Sequence, residues 1–156
     1  MLEIVIPGAE ILRLDHLVAD FNGTLACDGT LLPGSADALC RLAEKLSIHV
    51  VTADTFGKAR EALAGIPCEL VILPSGDQDL AKLRHVEALG ASRCVCIGNG
   101  RNDRRMLAAA GLGIAVMQGE GAAVETLLAA RVAVPDIGAA LGLLLNPARL
   151  MATLRV

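Results

Sequence analysis

The sequence predicts an α/β fold in which a mostly parallel sheet carries helices on both faces. Three observations lead there. Short apolar runs rich in β-branched residues alternate with stretches of helical spacing along the chain, a pattern that calls for parallel strands joined by right-handed crossovers. Two of the runs end in the same way, a Gly-containing turn with a carboxylate, in LVADFNGT at 17–24 and IGNGRND at 97–103. In open α/β sheets that end of a strand is where ligands bind. Finally, 156 residues with 54% apolar content are the size of one domain and can bury about 70% of the unfolded surface.

The elements follow in order. Leu2–Pro7 and Glu10–Leu14 alternate around Gly8 and read as a β-hairpin. His16 stands before the main strand as a structural edge residue. Leu17–Ala19 is the end of a buried strand, Asp20 its tip and Asn22-Gly23-Thr24 a turn, with the Thr24 hydroxyl stabilising it. Leu25–Gly34 reads as a loop or small flap near that tip. Ser35 is expected to N-cap a helix running to about Leu46, with Leu39, Leu42, Ala43 and Leu46 at core spacing. Ile48–Val51 is a strand ending in Thr52-Ala53-Asp54, and a helix over about Phe56–Leu63 is stopped by Gly65 and Pro67.

Leu70–Leu73 forms the next strand, and Asp77 or Asp79 caps a helix that closes at Gly90. Lys82 falls in that helix's first turn, where its charge opposes the macrodipole, so a functional reason for it is favoured. Arg93–Ile97 is the fourth strand. Asn102 or Asp103 opens a helix through Ala110, one face of which, Arg101, Arg104 and Arg105, is expected to be solvated. Gly113–Met117 is a strand, Gly119–Gly121 a candidate phosphate loop that reads first as a plain turn, and Ala122–Ala130 a helix. Val132–Val134 is the last strand, before a helix over 136–154 broken at Asn146-Pro147. No linker, repeat or insertion large enough for a second domain is evident, so residues 1–156 read as one domain.

Composition excludes several functions. Net charge is −3, with two Phe and no Trp or Tyr, which argues against nucleic acid as the main partner. No apolar run reaches the roughly 20 residues of a membrane span, and the N-terminus has no signal-peptide pattern, so a cytoplasmic protein is expected. Five cysteines without a signal peptide suggest reduced thiols. Cys94 and Cys96 alternate in an apolar strand. We read them as facing opposite sides of the sheet, poor geometry for a shared metal, and as small core residues. His49 and His85 have no evident partner and read as structural.

Polar groups on several strand and helix ends, Asp20 with Asn22 and Thr24, Thr52 with Asp54, Lys82, and Asn99 with Asp103, could meet at one edge of the sheet. Such a set suits phosphoryl transfer. A carboxylate can attack phosphorus, and magnesium binds oxygen ligands including one or two carboxylates. Hydroxyl, ammonium and backbone N–H groups can hold the phosphoryl oxygens.

DFNGT at 20–24, the strand-ending Thr52, Lys82 and GNGRND at 98–103 resemble the four motifs of the haloacid-dehalogenase-like (HAD) superfamily, in order and across nearly the whole chain. The resemblance is to its small soluble P-type-ATPase-like phosphatases. TAD at 52–54 is similar to the ATPases' TGD, and GNGRND to their GDGxND. It implies a Rossmann-like three-layer α/β/α fold without a cap domain and magnesium-dependent phosphate-ester hydrolysis through an aspartyl phosphate. It makes Asp20 nucleophile and metal ligand. The Asn22 carbonyl, Asn99 and Asp103 would serve the metal, directly or through water. Phe21, Gly23, Thr24, Thr52, Ala53 and Lys82 would hold the phosphoryl group, with Asp54 and Asn102 behind them.

Two departures matter. Asn22 stands where such phosphatases carry an acid/base Asp, and general acid–base help is typically worth about 10²–10⁴ in rate. The resemblance therefore implies slow turnover, or a narrow preference for good leaving groups on a small phosphorylated substrate. Asn99 replaces an acid, which leaves Asp20 and Asp103 as the main anions, unless Asp54 contributes, and implies modest magnesium affinity. The alternative is a catalytically weak regulatory or phosphate-binding domain that acts with a protein partner. The high apolar content is compatible with a homo-oligomer.

Overall fold

The structure, a computed structural model, describes residues 1–54 and 57–156. β1 (Leu2–Val5) and β2 (Ile11–Leu14) form the expected antiparallel hairpin, with Leu2 opposite Leu14. β3 (His16–Asp20) then enters the main sheet. β4 (Ala26–Cys27) and β5 (Thr30–Leu31) make the segment after it a two-stranded flap. α1 (Ser35–Leu42), β6 (Ser47–Thr52), α2 (Ala59–Ala62) and β7 (Glu69–Ile72) complete one half. α3 (Gln78–Leu89), β8 (Cys94–Gly98), α4 (Arg104–Ala109), β9 (Leu112–Val116), α5 (Val124–Ala129) and β10 (Val132–Val134) build the other. α6 (Ile137–Leu145) and α7 (Pro147–Leu154) follow.

Six strands run parallel in the order β10-β9-β8-β3-β6-β7. From β3 the chain moves outward through β6 to β7, crosses back to β8, and moves outward the other way. The direction of winding reverses between β3 and β8, and such a reversal opens a crevice beyond the strand ends. β3, β8 and β9 are buried on both faces, as a parallel sheet under two helical layers requires. Leu17, Ala19, Val95 and Ile97 pack toward the hairpin, α1, α2, α6 and α7. Val18, Val51 and Cys96 pack toward α3, α4 and α5. The predicted three-layer α/β/α architecture is the observed one.

Several local expectations are corrected. Cys94 and Cys96 lie on the same face of β8, both buried against Val86 and Met106, because strand side chains repeat every two residues. α1 ends at Leu42 and not Leu46. Its N-cap is Gly34 in a left-handed conformation (φ 80°), and Ser35 is buried inside the first turn, where its hydroxyl caps nothing. The second helix is a single turn, Ala59–Ala62, and the expected start at Phe56 lies outside the described residues. Asp54 does cap it, Oδ1 accepting from the Ala59 N–H at 3.0 Å.

Asp77 occupies the N-cap position of α3 without a side-chain bond, whereas Asp79, inside the first turn, accepts the Leu80 N–H on Oδ1 at 2.9 Å. Lys82 falls in the second turn of α3. Arg101 and Arg105 are exposed and Arg104 half-buried, as a solvated face requires, and they carry surface ion pairs, Arg104 and Arg105 with Asp79 and Arg101 with Glu125. α6 and α7 bend by 99° at Asn146-Pro147, with Pro147 opening α7. Among the described residues no single helix is long and apolar enough to cross a membrane.

Candidate active site

β3 delivers Asp20 to the crevice between β3 and β8, and β8 delivers Gly98 and Asn99 to its other wall. α3 returns from β7 with its second turn beneath this point, so Lys82 enters from under the sheet end. Its ammonium donates to Asp20 Oδ1 at 2.7 Å and to Asp103 Oδ1 at 2.6 Å. Lys82 is 1% exposed, and a fully buried ammonium is stable only when paired in this way. Asp103 is wholly buried. Its second oxygen accepts from the Asn99 and Gly100 N–H groups at 3.0 and 2.9 Å. Gly98 makes that approach possible, since a Cβ there would stand 2.5 Å from the Asp103 carboxyl carbon.

Thr24 completes the inner ring. It is fully buried, and its hydroxyl lies 3.4 Å from Asp20 Oδ2 and 3.2 Å from Asn99 Oδ1. It therefore faces the site besides bracing the turn. Thr52, at the tip of β6, accepts the Asp54 N–H on its hydroxyl oxygen at 2.9 Å, which leaves its own proton for the cleft. Asn102 donates to Gln78 Oε1 at 2.9 Å. A cleft of about 210 Å³ joins Asp20, Asn22, Thr52, Ala53, Lys82, Asn99 and Asn102 with Gly100, Gln78 and Glu120. The sequence-derived residues thus converge, with two qualifications. The Gly23 and Thr24 N–H groups are committed to the Ala26 and Phe21 carbonyls, so the turn gives only part of the expected phosphate cradle. Phe21 is buried, with its N–H against the Asp20 carboxylate.

Burial and then the nearby Asp103 carboxylate push Asp20 up to about 7, against the pull of Lys82. Burial pulls Lys82 down, but Asp103 and Asp20 more than offset it and hold the ammonium above its ordinary range. The oxygens facing the cleft, from Asp20, Asn99 and the turn around Asn22, are hard donors that suit magnesium better than a soft metal. Asp103 does not line this cleft, because its oxygens are spent on Lys82 and the backbone. Any part it plays for a cation runs through the frame it holds or through water.

Asn22 is also a structural residue. Its Oδ1 accepts the Gly29 N–H at 3.1 Å and ties the flap to the turn. Sequence reasoning missed two residues. Gln118, beyond β9, donates to the Gly23 and Thr24 carbonyls at 3.1 and 2.5 Å and accepts the Ile137 N–H at 3.0 Å. Glu120 reaches the cleft from the same turn. Only the polar residues on either side of Gly119 could have drawn attention to it.

Away from the cleft, further along α3, the three histidines meet. His16 Nδ1 lies 3.2 Å from His49 Nε2, His49 Nδ1 lies 3.2 Å from Glu69, and the His85 ring stands edge-on to His49 at 5.2 Å. No partner for His49 or His85 is evident in the sequence, and in the structure the three histidines are one another's partners. Burial lowers the affinity of His49 and His85 for a proton, and Glu69 opposes that only in part.

No family model matches the sequence. An uncharacterized protein of Methanocaldococcus jannaschii is 44% identical over 84 residues, which are 51% of this chain and 90% of that protein, and the two belong to one family. Among solved structures, a HAD-superfamily (subfamily III A) hydrolase of Legionella pneumophila superposes with a TM-score of 0.72 at 19% identity, over 91% of this chain and 89% of that one. The 3-deoxy-D-manno-octulosonate 8-phosphate phosphatase of Moraxella catarrhalis, solved with magnesium, phosphate and its sugar, gives 0.71 at 16%, over 91% and 94%. The catalytic domain of the CPx-ATPase CopB-B gives 0.60 at 28%, over 74% of this chain and 46% of that one.

Proposed function

We propose that this chain, which has the fold of the HAD superfamily, is a magnesium-dependent phosphohydrolase that works through an aspartyl phosphate on Asp20, with residues 1–156 as one catalytic unit. The observation that carries the reading is the buried Asp20–Lys82–Asp103 arrangement at the reversal point of the sheet. A carboxylate fixed there by an ammonium has one oxygen held and the other turned toward Thr24 and the cleft. Small phosphorylated esters fit a cleft of about 210 Å³.

The chemistry follows from the side chains. Asp20 attacks phosphorus, the bond to the leaving oxygen breaks, and that oxygen takes its proton from water, because Asn22 has none to give. The Thr52 hydroxyl and the Lys82 ammonium donate to phosphoryl oxygens as charge redistributes. Water then attacks the acyl phosphate, the bond from phosphorus to the Asp20 oxygen breaks, and inorganic phosphate leaves. Asp20, the Asn22 carbonyl and Asn99 would hold magnesium, which when bound neutralises phosphate charge and keeps Asp20 ionised.

Asn22 makes both steps slow, or restricts the enzyme to good leaving groups, since its amide anchors the flap and moves no proton. That same observation favours a second reading, a regulatory domain that binds phosphate and turns over weakly. Hydrolysis of an aryl phosphate and of acetyl phosphate, parent against Asp20→Asn, separates the two. Activity that requires both magnesium and Asp20 supports the enzyme. No activity from the parent on either compound, with magnesium binding intact, overturns it in favour of the regulatory domain.

A further inference from the structure

We infer that Glu120, on the turn between β9 and α5, is a ligand of the divalent cation and supplies the carboxylate that position 99 lacks. The inference rests on the phosphohydrolase reading and deepens its metal site. Magnesium in a protein usually takes one or two carboxylates together with neutral oxygens and water. Of the described residues that line the cleft, only Asp20 and Glu120 carry a carboxylate, since Asp103 is wholly buried and bonded on both oxygens.

The position of Glu120 is built. Gly23 has φ 83° and no side chain, and a Cβ there would overlap Glu120 Oε2 while standing 2.8 Å from Asn99 Oδ1. The Glu120 carboxylate and the Asn99 amide therefore crowd one small space above the turn that follows Asp20. Asn99 Nδ2 donates to the Gly121 carbonyl at 3.0 Å, and the Ala123 N–H donates to the Asn99 carbonyl at 2.9 Å. Gln118 fixes the other end of the turn to Gly23 and Thr24. Four bonds thus hold an acidic residue beside Asn99.

Glu120 has no cationic partner among the described residues, unlike Glu125 and Asp79 nearby. On its outer side its carboxylate stands close to Asp28 and Cys27 of the flap. A carboxylate crowded against the Asn99 amide, near another acid and without a cationic side chain beside it gains from a cation, and the space it shares with Asn99 is where one would sit.

The test is cation affinity without substrate, read by Mn²⁺ electron paramagnetic resonance and by magnesium calorimetry. Parent, Glu120→Gln, Asp20→Asn and the double variant Glu120→Gln/Asn99→Asp are compared. Glu120→Gln should weaken binding on the order of 10–100-fold, the scale on which single residues at a metal site act. Its metal-free melting temperature should stay that of the parent. Asn99→Asp in the same chain should return most of the loss, which a change in folding alone would not do. Parent-like affinity in Glu120→Gln, with Asp20→Asn abolishing binding, overturns the role of Glu120 and leaves the site standing. No binding by the parent, or unchanged binding in Asp20→Asn, overturns the site itself.

Discussion

Replacing Lys82 with Met keeps the length and apolar stem of the side chain and removes only the ammonium between Asp20 and Asp103. At 2.7 and 2.6 Å, each contact is worth about 6 kcal/mol gross at an effective dielectric of about 20. Desolvation of the buried charges cancels much of that. What the substitution exposes is the cost of two carboxylates left facing each other, and removing one partner of a buried ion pair costs about 3–5 kcal/mol. Asp20 has an escape, because burial and Asp103 already push it up to about 7, and without the ammonium it takes a proton more readily still. The loss should therefore sit near the lower figure at pH 6 and grow toward the upper one at pH 8.5. At about 2.1 cal/mol/K per residue over 156 residues, 3 kcal/mol lowers Tm by roughly 9 °C. Urea unfolding of both proteins from pH 6 to 8.5, free of divalent cations, measures it. A loss below about 1 kcal/mol at every pH, or one that grows toward acid, would refute the account of a charge-bridging lysine.

Other outcomes are expected from the same geometry. Asn22→Asp keeps the acceptor for the Gly29 N–H and adds an acid, so hydrolysis of alkyl phosphates should rise, by up to about 10²-fold, while that of acetyl phosphate changes little. Parallel rate measurements on the two substrates check it. Gln118→Met leaves the Gly23 and Thr24 carbonyls and the Ile137 N–H without their partner. It should cost about 1–3 kcal/mol and lower the rate on an aryl phosphate, readable in denaturant melts and initial rates. For the histidine cluster the sign is set by its lowered proton affinity in the folded state. Above pH 6.5 both states are neutral, and below it the unfolded chain takes protons that folded His49 and His85 refuse. Their contribution to stability should thus fall as pH drops below 6.5, so a His49→Gln/His85→Gln variant should lose less, or gain more, stability than the parent on acidification in melts from pH 7.5 to 5.5, where Asp20, raised to about 7 by burial, contributes the opposite slope in both proteins.

Asp20, Thr52, Asn99 and Asp103 were legible because each sits at or just past a strand end, and the alternation of strands and helices puts those ends on one edge. Lys82 was legible as an ill-placed charge near a helix start, although the helix begins late enough to put it in the second turn. Other features were not. The parity of Cys94 and Cys96 was there to be read and was read wrongly, since residues two apart share a face. Ser35 is a common capping residue, but burial took its place in α1 and Gly34 capped the helix. The histidine cluster draws on β3, β6 and α3, and no spacing in the chain announces that meeting. Glu120 and Gln118 act across about 95 residues, on a turn whose own sequence reads as a simple Gly-rich bend, and only the folded sheet lays it over Gly23.

Gln118 has one further consequence. Its amide nitrogen holds the loop behind Asp20 while its oxygen holds the first N–H of α6, so one side chain joins residue 23 to residue 137. Helices that look like outer cladding on the sheet are mechanically in series with the Asp20 carboxylate. In synthesis Asp20 emerges before Ile137, so its surroundings cannot be braced until the segment after β10 has been made. A ribosome-bound fragment ending before Ile137 would carry Asp20, Thr52 and Lys82 and lack the tie from Gln118 to α6.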